Sequence, residues 1–134
     1  MKRIVLLLLA AAVAVAVTAC NGSRHSPTDP GTAPIIANLK VLAFARVDAT
    51  SGDVPLIFDF ADPEGDVDRV LVKFSNGVAD NPLRSAAGQK SGTASVLQAV
   101  LLPDPSAKEL EFSVQLADAR GNLSNTVTGK VALQ

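Results

Sequence analysis

The sequence predicts an all-β domain: an antiparallel β-sandwich of about seven strands over residues 34–134, preceded by a signal-peptide helix and a flexible tether. Three observations lead there. Short segments alternate apolar and polar residues with a period of two, the pattern of a strand with one buried face. Clusters of Gly, Pro, Asn, Asp and Ser separate them, and these are the residues that turns require. The roughly one hundred residues from Pro34 onward suit one domain with one core.

Each element follows from its own residues. The stretch 35–47, "IIANLKVLAFARV", is strand-like with unclear parity, and a bulge is expected within it. Residues 54–62 place Leu56, Phe58 and Phe60 on one face. In 68–75, Val70, Val72 and Phe74 oppose Arg69, Leu71 and Lys73. Asn76-Gly77 signals a hairpin, because both residues tolerate positive φ. A further segment lies within 78–90. The stretch 93–102, "TASVLQAVLL", reads on either face or as a short helix. Residues 109–118 alternate cleanly, with Leu110, Phe112, Val114 and Leu116 facing inward. The last strand, within 123–133, turns Val127, Val131 and Leu133 inward, and Gly129 marks a bulge or a close approach. Further turn clusters lie at 50–53, 103–106 and 119–122. Short strands divided by such turns point to an immunoglobulin-like sandwich, although the chain has no disulfide pair, no Trp and no Tyr.

The first twenty residues concern the compartment. Lys2 and Arg3 precede a run of 14 apolar residues, Ile4–Val17, too short to span a bilayer but suited to a signal-peptide core. The run ends in "VTAC", and Cys20 is the only cysteine. A single thiol in an oxidising compartment has no disulfide partner. An ordinary secretory cleavage site also ends in small residues, and Val17, Thr18 and Ala19 suit that reading too. "VTAC" resembles the lipobox of bacterial lipoproteins. The resemblance implies removal of residues 1–19, a diacylglycerol thioether on Cys20 and an acyl chain on its new amine. Two or more acyl chains anchor a protein stably. Asn21 in place of Asp at the next position implies the outer membrane in preference to the inner one.

Removal of residues 1–19 leaves ten basic side chains against 13 acids, a formal charge of −3. That balance speaks against binding nucleic acid, which takes a basic patch. Residues 20–33 comprise the lipidated cysteine and a linker with no large apolar side chain, which spans about 20 Å if flexible. His25, the single histidine, lies in this linker.

One segment concentrates charge. "DFADPEGDVD", 59–68, holds five acids in ten positions. Together with "VQLADARGNLSN" (114–125), it resembles bacterial Ig-like, cadherin-like and dystroglycan-type modules, which carry similar acidic turns. In immunoglobulin-like order the loops bearing these motifs lie at one end of the sandwich. Calcium takes six to eight oxygens. The resemblance therefore implies a candidate calcium site at Asp62, Glu64, Asp66, Asp118 and Asn122. A purely structural reading stands beside it. "DPEG" carries the preferred residues of a type I turn, Asp62 and Asp118 can each cap a turn, and the spacing is not that of an EF-hand.

Catalysis has little support. The region 34–134 contains no His or Cys, so the common nucleophile–base systems are absent, and sugar-stacking aromatics are few. The expectation is a non-catalytic, lipid-anchored envelope protein, with no catalytic residues, that binds a protein or a glycan. Alternatives are an accessory subunit of a secretion or assembly complex and a calcium-stabilised module.

Overall fold

The computed structural model describes residues 30–102 and 104–133. The expected signal peptide, Cys20 and residues 21–29 of the linker lie outside the described residues. Among those described, no helix is long and apolar enough to cross a membrane. The strands are β1 (Ile35–Val41), β2 (Ala45–Arg46), β3 (Ser51–Ala61), β4 (Val67–Phe74), β5 (Gly77–Pro82), β6 (Ser91–Leu101), β7 (Glu109–Asp118) and β8 (Val127–Ala132), with a 3₁₀ turn at Arg84–Ala86.

They form two antiparallel sheets. In the first, β3 is central, with β1 and β2 on one side and β6 on the other; the second runs β5-β4-β7-β8. This is the immunoglobulin-like β-sandwich that the alternation predicts. The predicted inward residues Leu56, Phe58, Phe60, Val70, Val72, Phe74, Leu110, Phe112, Val114, Leu116, Val131 and Leu133 are all buried in one core, with Val127 packed against it. Burying a residue such as Phe58 or Leu116 contributes about 1.5–3 kcal/mol. Among the described residues, the core lies within residues 36–133.

Four details differ from the sequence reading or complete it. The first strand breaks into β1 and β2, and the pairing shifts between Ala37 and Lys40, where Asn38 takes φ 52°. Pro55 of the central strand β3 lies opposite the gap between β1 and β2. Its missing N–H faces that side, where Leu42 N–H still donates to the Pro55 carbonyl at 3.0 Å. The β4–β5 hairpin turns on Ser75-Asn76, one residue earlier than expected, with Phe74 paired to Gly77. The stretch 93–102 is strand, not helix, and it buries Ala94, Gln98 and Val100 while Leu97 and Leu101 face solvent. Gly129 is a close approach: a Cβ there would meet the Phe112 ring at 2.7 Å.

Candidate functional site

The loop 62–66 between β3 and β4 and the loop 119–126 between β7 and β8 meet at one pole, as immunoglobulin-like order requires. Val67 pairs with Asp118, and Ala119 N–H donates to the Asp66 carbonyl at 2.9 Å, so the ladder itself draws the loops together. Chain entry lies at the same pole, since Ile35 pairs with Ala61.

Asp62 is fully buried. Its carbonyl accepts from Gly65 N–H at 3.1 Å, which closes the "DPEG" turn, and Gly65 takes φ 72°. Its Oδ2 accepts from Asp66 N–H at 2.7 Å, while its N–H donates to the Lys90 carbonyl. Asp118 plays the matching part in the other loop. Its Oδ1 accepts from Arg120 N–H (2.9 Å) and Asn122 N–H (2.8 Å), and its Oδ2 from Asn122 Nδ2 (2.7 Å). Both aspartates therefore cap turns, as the structural reading expects.

A second layer remains after those bonds. Asp62 Oδ1, Glu64 Oε2 and Asp66 Oδ1 are buried and accept no hydrogen bond. A buried acceptor without a donor is costly, and three within five residues mark the loop as electrostatically unfinished. Asp66 registers this strain: burial, then the neighbouring Asp62 charge and the hydrogen bond that a protonated Asp66 would donate to Asp62, then the Asp118 charge, raise its pKa above the usual carboxylate value. Arg120 pulls the other way, its Nε 3.6 Å from Asp66 Oδ2.

Of the five residues singled out for calcium, Asp62, Asp66 and Asp118 converge. Glu64 and Asn122 lie at the same pole but turn toward the incoming chain. Glu64 Oε1 accepts from Thr32 N–H at 3.2 Å, and Asn122 Nδ2 donates to the Pro30 carbonyl. Among the described residues, no group of three or more His, Cys, Asp or Glu side chains is placed to hold one metal ion. Residues 30–33, read as free linker from their composition, are seated on this pole instead.

Two polar residues escaped sequence reasoning. Asn125 staples the edge of β1: its Oδ1 accepts from Ile36 N–H at 3.0 Å, and its Nδ2 donates to the Ile36 carbonyl at 2.9 Å. Ser124 Oγ accepts from Leu116 N–H at 2.8 Å. Together they explain why the last strand begins at Val127 and not at 123. No local signal marks Asn125, because its partner lies 89 residues away.

No family model and no curated protein matches the chain. Among solved structures, it is similar to the PKD domain of an M14-like peptidase from Thermoplasmatales archaeon SCGC AB-540-F20. The TM-score is 0.48 and the identity 16%, over 77% of this chain and 97% of that one.

Proposed function

We propose that this chain is a non-catalytic, lipid-anchored protein of the bacterial envelope whose sandwich binds a protein or glycan partner. The observation that carries the proposal is the seating of the incoming chain. Glu64 and Asn122 hold residues 30–32 at the acidic pole, so a membrane anchor at Cys20 would tether the domain from that pole and leave the outer sheet faces open to a partner. The outer face of the first sheet offers an apolar strip: Leu97 and Leu101 are 65% and 69% exposed, and Leu97 pairs beside Pro55. An exposed apolar patch rimmed by polar residues suits partner binding. Affinity capture from envelope extract tests this. A partner retained by the wild-type domain and lost with Leu97→Asp supports it; capture that is indifferent to Leu97→Asp, or no reproducible partner, counts against it.

A second reading rests on the unpartnered oxygens of Asp62, Glu64 and Asp66. Calcium at this pole would supply the positive charge these oxygens lack, with the Asp118 loop close by. Glu64 would offer its Oε2 while its Oε1 accepts from Thr32 N–H, which would tie cation binding to the seating of the linker. Melting in EDTA and then in millimolar calcium decides it, because a ligand of the native state must raise stability.

A further inference from the structure

Strand β6 pairs on one side only, with β3, in an unbroken register from Ser51↔Leu101 to Ala61↔Ser91. The ladder continues beyond both ends: Leu102 N–H donates to the Thr50 carbonyl, and Asp62 N–H donates to the Lys90 carbonyl, each at 2.7 Å. Antiparallel residues alternate between turning their main-chain groups toward the neighbour and away from it. These two bonds set the parity. Even-numbered residues of β6 bond to β3, and odd-numbered residues present N–H and C=O to the open edge.

Both ends of that edge are closed. Gln98 Nε2 donates to the Ala99 carbonyl at 2.7 Å, and Asn76 Nδ2 to the Leu101 carbonyl at 3.0 Å. At the other end the Arg84–Ala86 turn packs against β6, and the Gln89 side chain reaches Gly92. Between them stand Thr93, Ser95 and Leu97, all exposed. Among the described residues, nothing hydrogen-bonds to the main-chain groups that these three turn toward the edge. Edges are normally protected by charge, proline or a bulge. β5 carries Asp80 and Pro82, and β1 has its bulge and the Asn125 staple. β6, "SGTASVLQAVL", has no charge and no proline.

We propose that 93–97 is a homotypic docking edge. The β6 of a second copy pairs with it antiparallel about a two-fold axis at Ser95, so Ser95 faces Ser95 and Thr93 faces Leu97. A two-fold contact sets a surface against itself, which like charges would oppose and an uncharged strand permits. The closed ends centre the axis, and the odd-numbered residues are in phase to exchange both main-chain bonds. The contact spans about 17 Å of strand, small beside stable interfaces of about 1,200 Å² or more. It is weak between free domains and gains from confinement on a shared surface. That last step rests on the lipid-anchored reading. In such a pair the two Ser91 positions lie about 27 Å apart along the strand. The nine residues 21–29 reach at most about 30 Å, so both anchors meet one bilayer with the sandwiches lying side-on.

The test uses the domain from residue 30 onward, which carries every core residue among those described and lacks cysteine. Facing residues at a hydrogen-bonded site are about 5.5 Å apart, within the preferred disulfide span. Under mild oxidation Ser95→Cys should give a covalent dimer roughly tenfold faster than Ala99→Cys or Leu101→Cys. In sedimentation equilibrium Ser95→Lys should weaken association of the otherwise wild-type domain by roughly tenfold. Unchanged urea midpoints in the reduced variants establish that each folds. Equal crosslinking at the three positions, a wild-type domain monomeric at millimolar concentration, or capture of an extended peptide without dimerisation would overturn the proposal. None of these outcomes depends on Cys20, so lipid labelling at Cys20 can succeed while this proposal fails.

Discussion

The two poles of the sandwich use the same residue for the same turn chemistry and arrive at opposite electrostatics. At the far pole, Asp48 Oδ1 accepts from Thr50 N–H at 2.7 Å, and Asp104 Oδ1 from Ser106 N–H at 2.8 Å. Both are exposed, and hydrogen bonds to the charged form (from Ser51 first for Asp48, from Ser106 for Asp104) lower their pKa values. At the acidic pole, Asp62 and Asp118 cap their turns equally well. The ladder, however, buries them and sets Asp66 beside both, so the pKa of Asp66 rises. An aspartate turn costs little alone in water; two that share a buried corner require a compensating proton, cation or arginine.

Substitutions at the two poles should separate them. The largest effect is expected for Asp118→Ala, which strips acceptors from Arg120 N–H, Asn122 N–H and Asn122 Nδ2. Losing buried acceptors of this kind costs about 2–4 kcal/mol in urea unfolding. Asp104→Ala at the far pole should barely move the midpoint. If the two variants fall equally, the poles do not differ as described. Calcium comes next: at a hundredfold excess over its dissociation constant it would add about 2.7 kcal/mol, and Asp62→Asn should abolish the gain. Gly65→Ala forces a side chain into φ 72° and should cost about 1–2 kcal/mol; Gly77, at φ 152°, lies further from the left-handed well that other residues can enter, so alanine should cost at least as much there although no atom crowds it.

The subtlest effect concerns pH. A carboxyl whose folded pKa exceeds its unfolded value stabilises the fold when protonated. That contribution is full below the unfolded value and fades as pH rises through the folded one. Asp66→Asn should therefore melt higher than wild type at pH 7, and the two should converge below the ordinary value of 3.8. A lower midpoint for Asp66→Asn at pH 7 would mean that the Arg120 contact outweighs the repulsion.

Legibility in the sequence followed the range of the interaction. β3, β4 and β7 were readable because a period of two directly reports one buried face, and the acidic turns were readable because their bonds are local. β6 was ambiguous for a definite reason. It buries Gln98, whose Oε1 accepts from Asn81 Nδ2 at 2.6 Å, while Leu97 and Leu101 face solvent, so its hydrophobic pattern points the wrong way. The break opposite Pro55, the Asn125 staple and the seating of residues 30–32 are all long-range contacts with no local signature. Convergence of the two loops was legible from strand order, but the division of the five candidate residues between turn caps and linker contacts was not.

The acidic pole has its proposed orientation only if the chain is anchored at Cys20. Metabolic labelling with an alkyne fatty acid, followed by intact-mass measurement of the mature protein and of Cys20→Ala, tests this most directly. The expected result is a mature chain beginning at a lipid-modified Cys20, recovered with membranes, and an unlabelled Cys20→Ala. A mature chain with a free Cys20 thiol, or one that still carries residues 1–19, would contradict it.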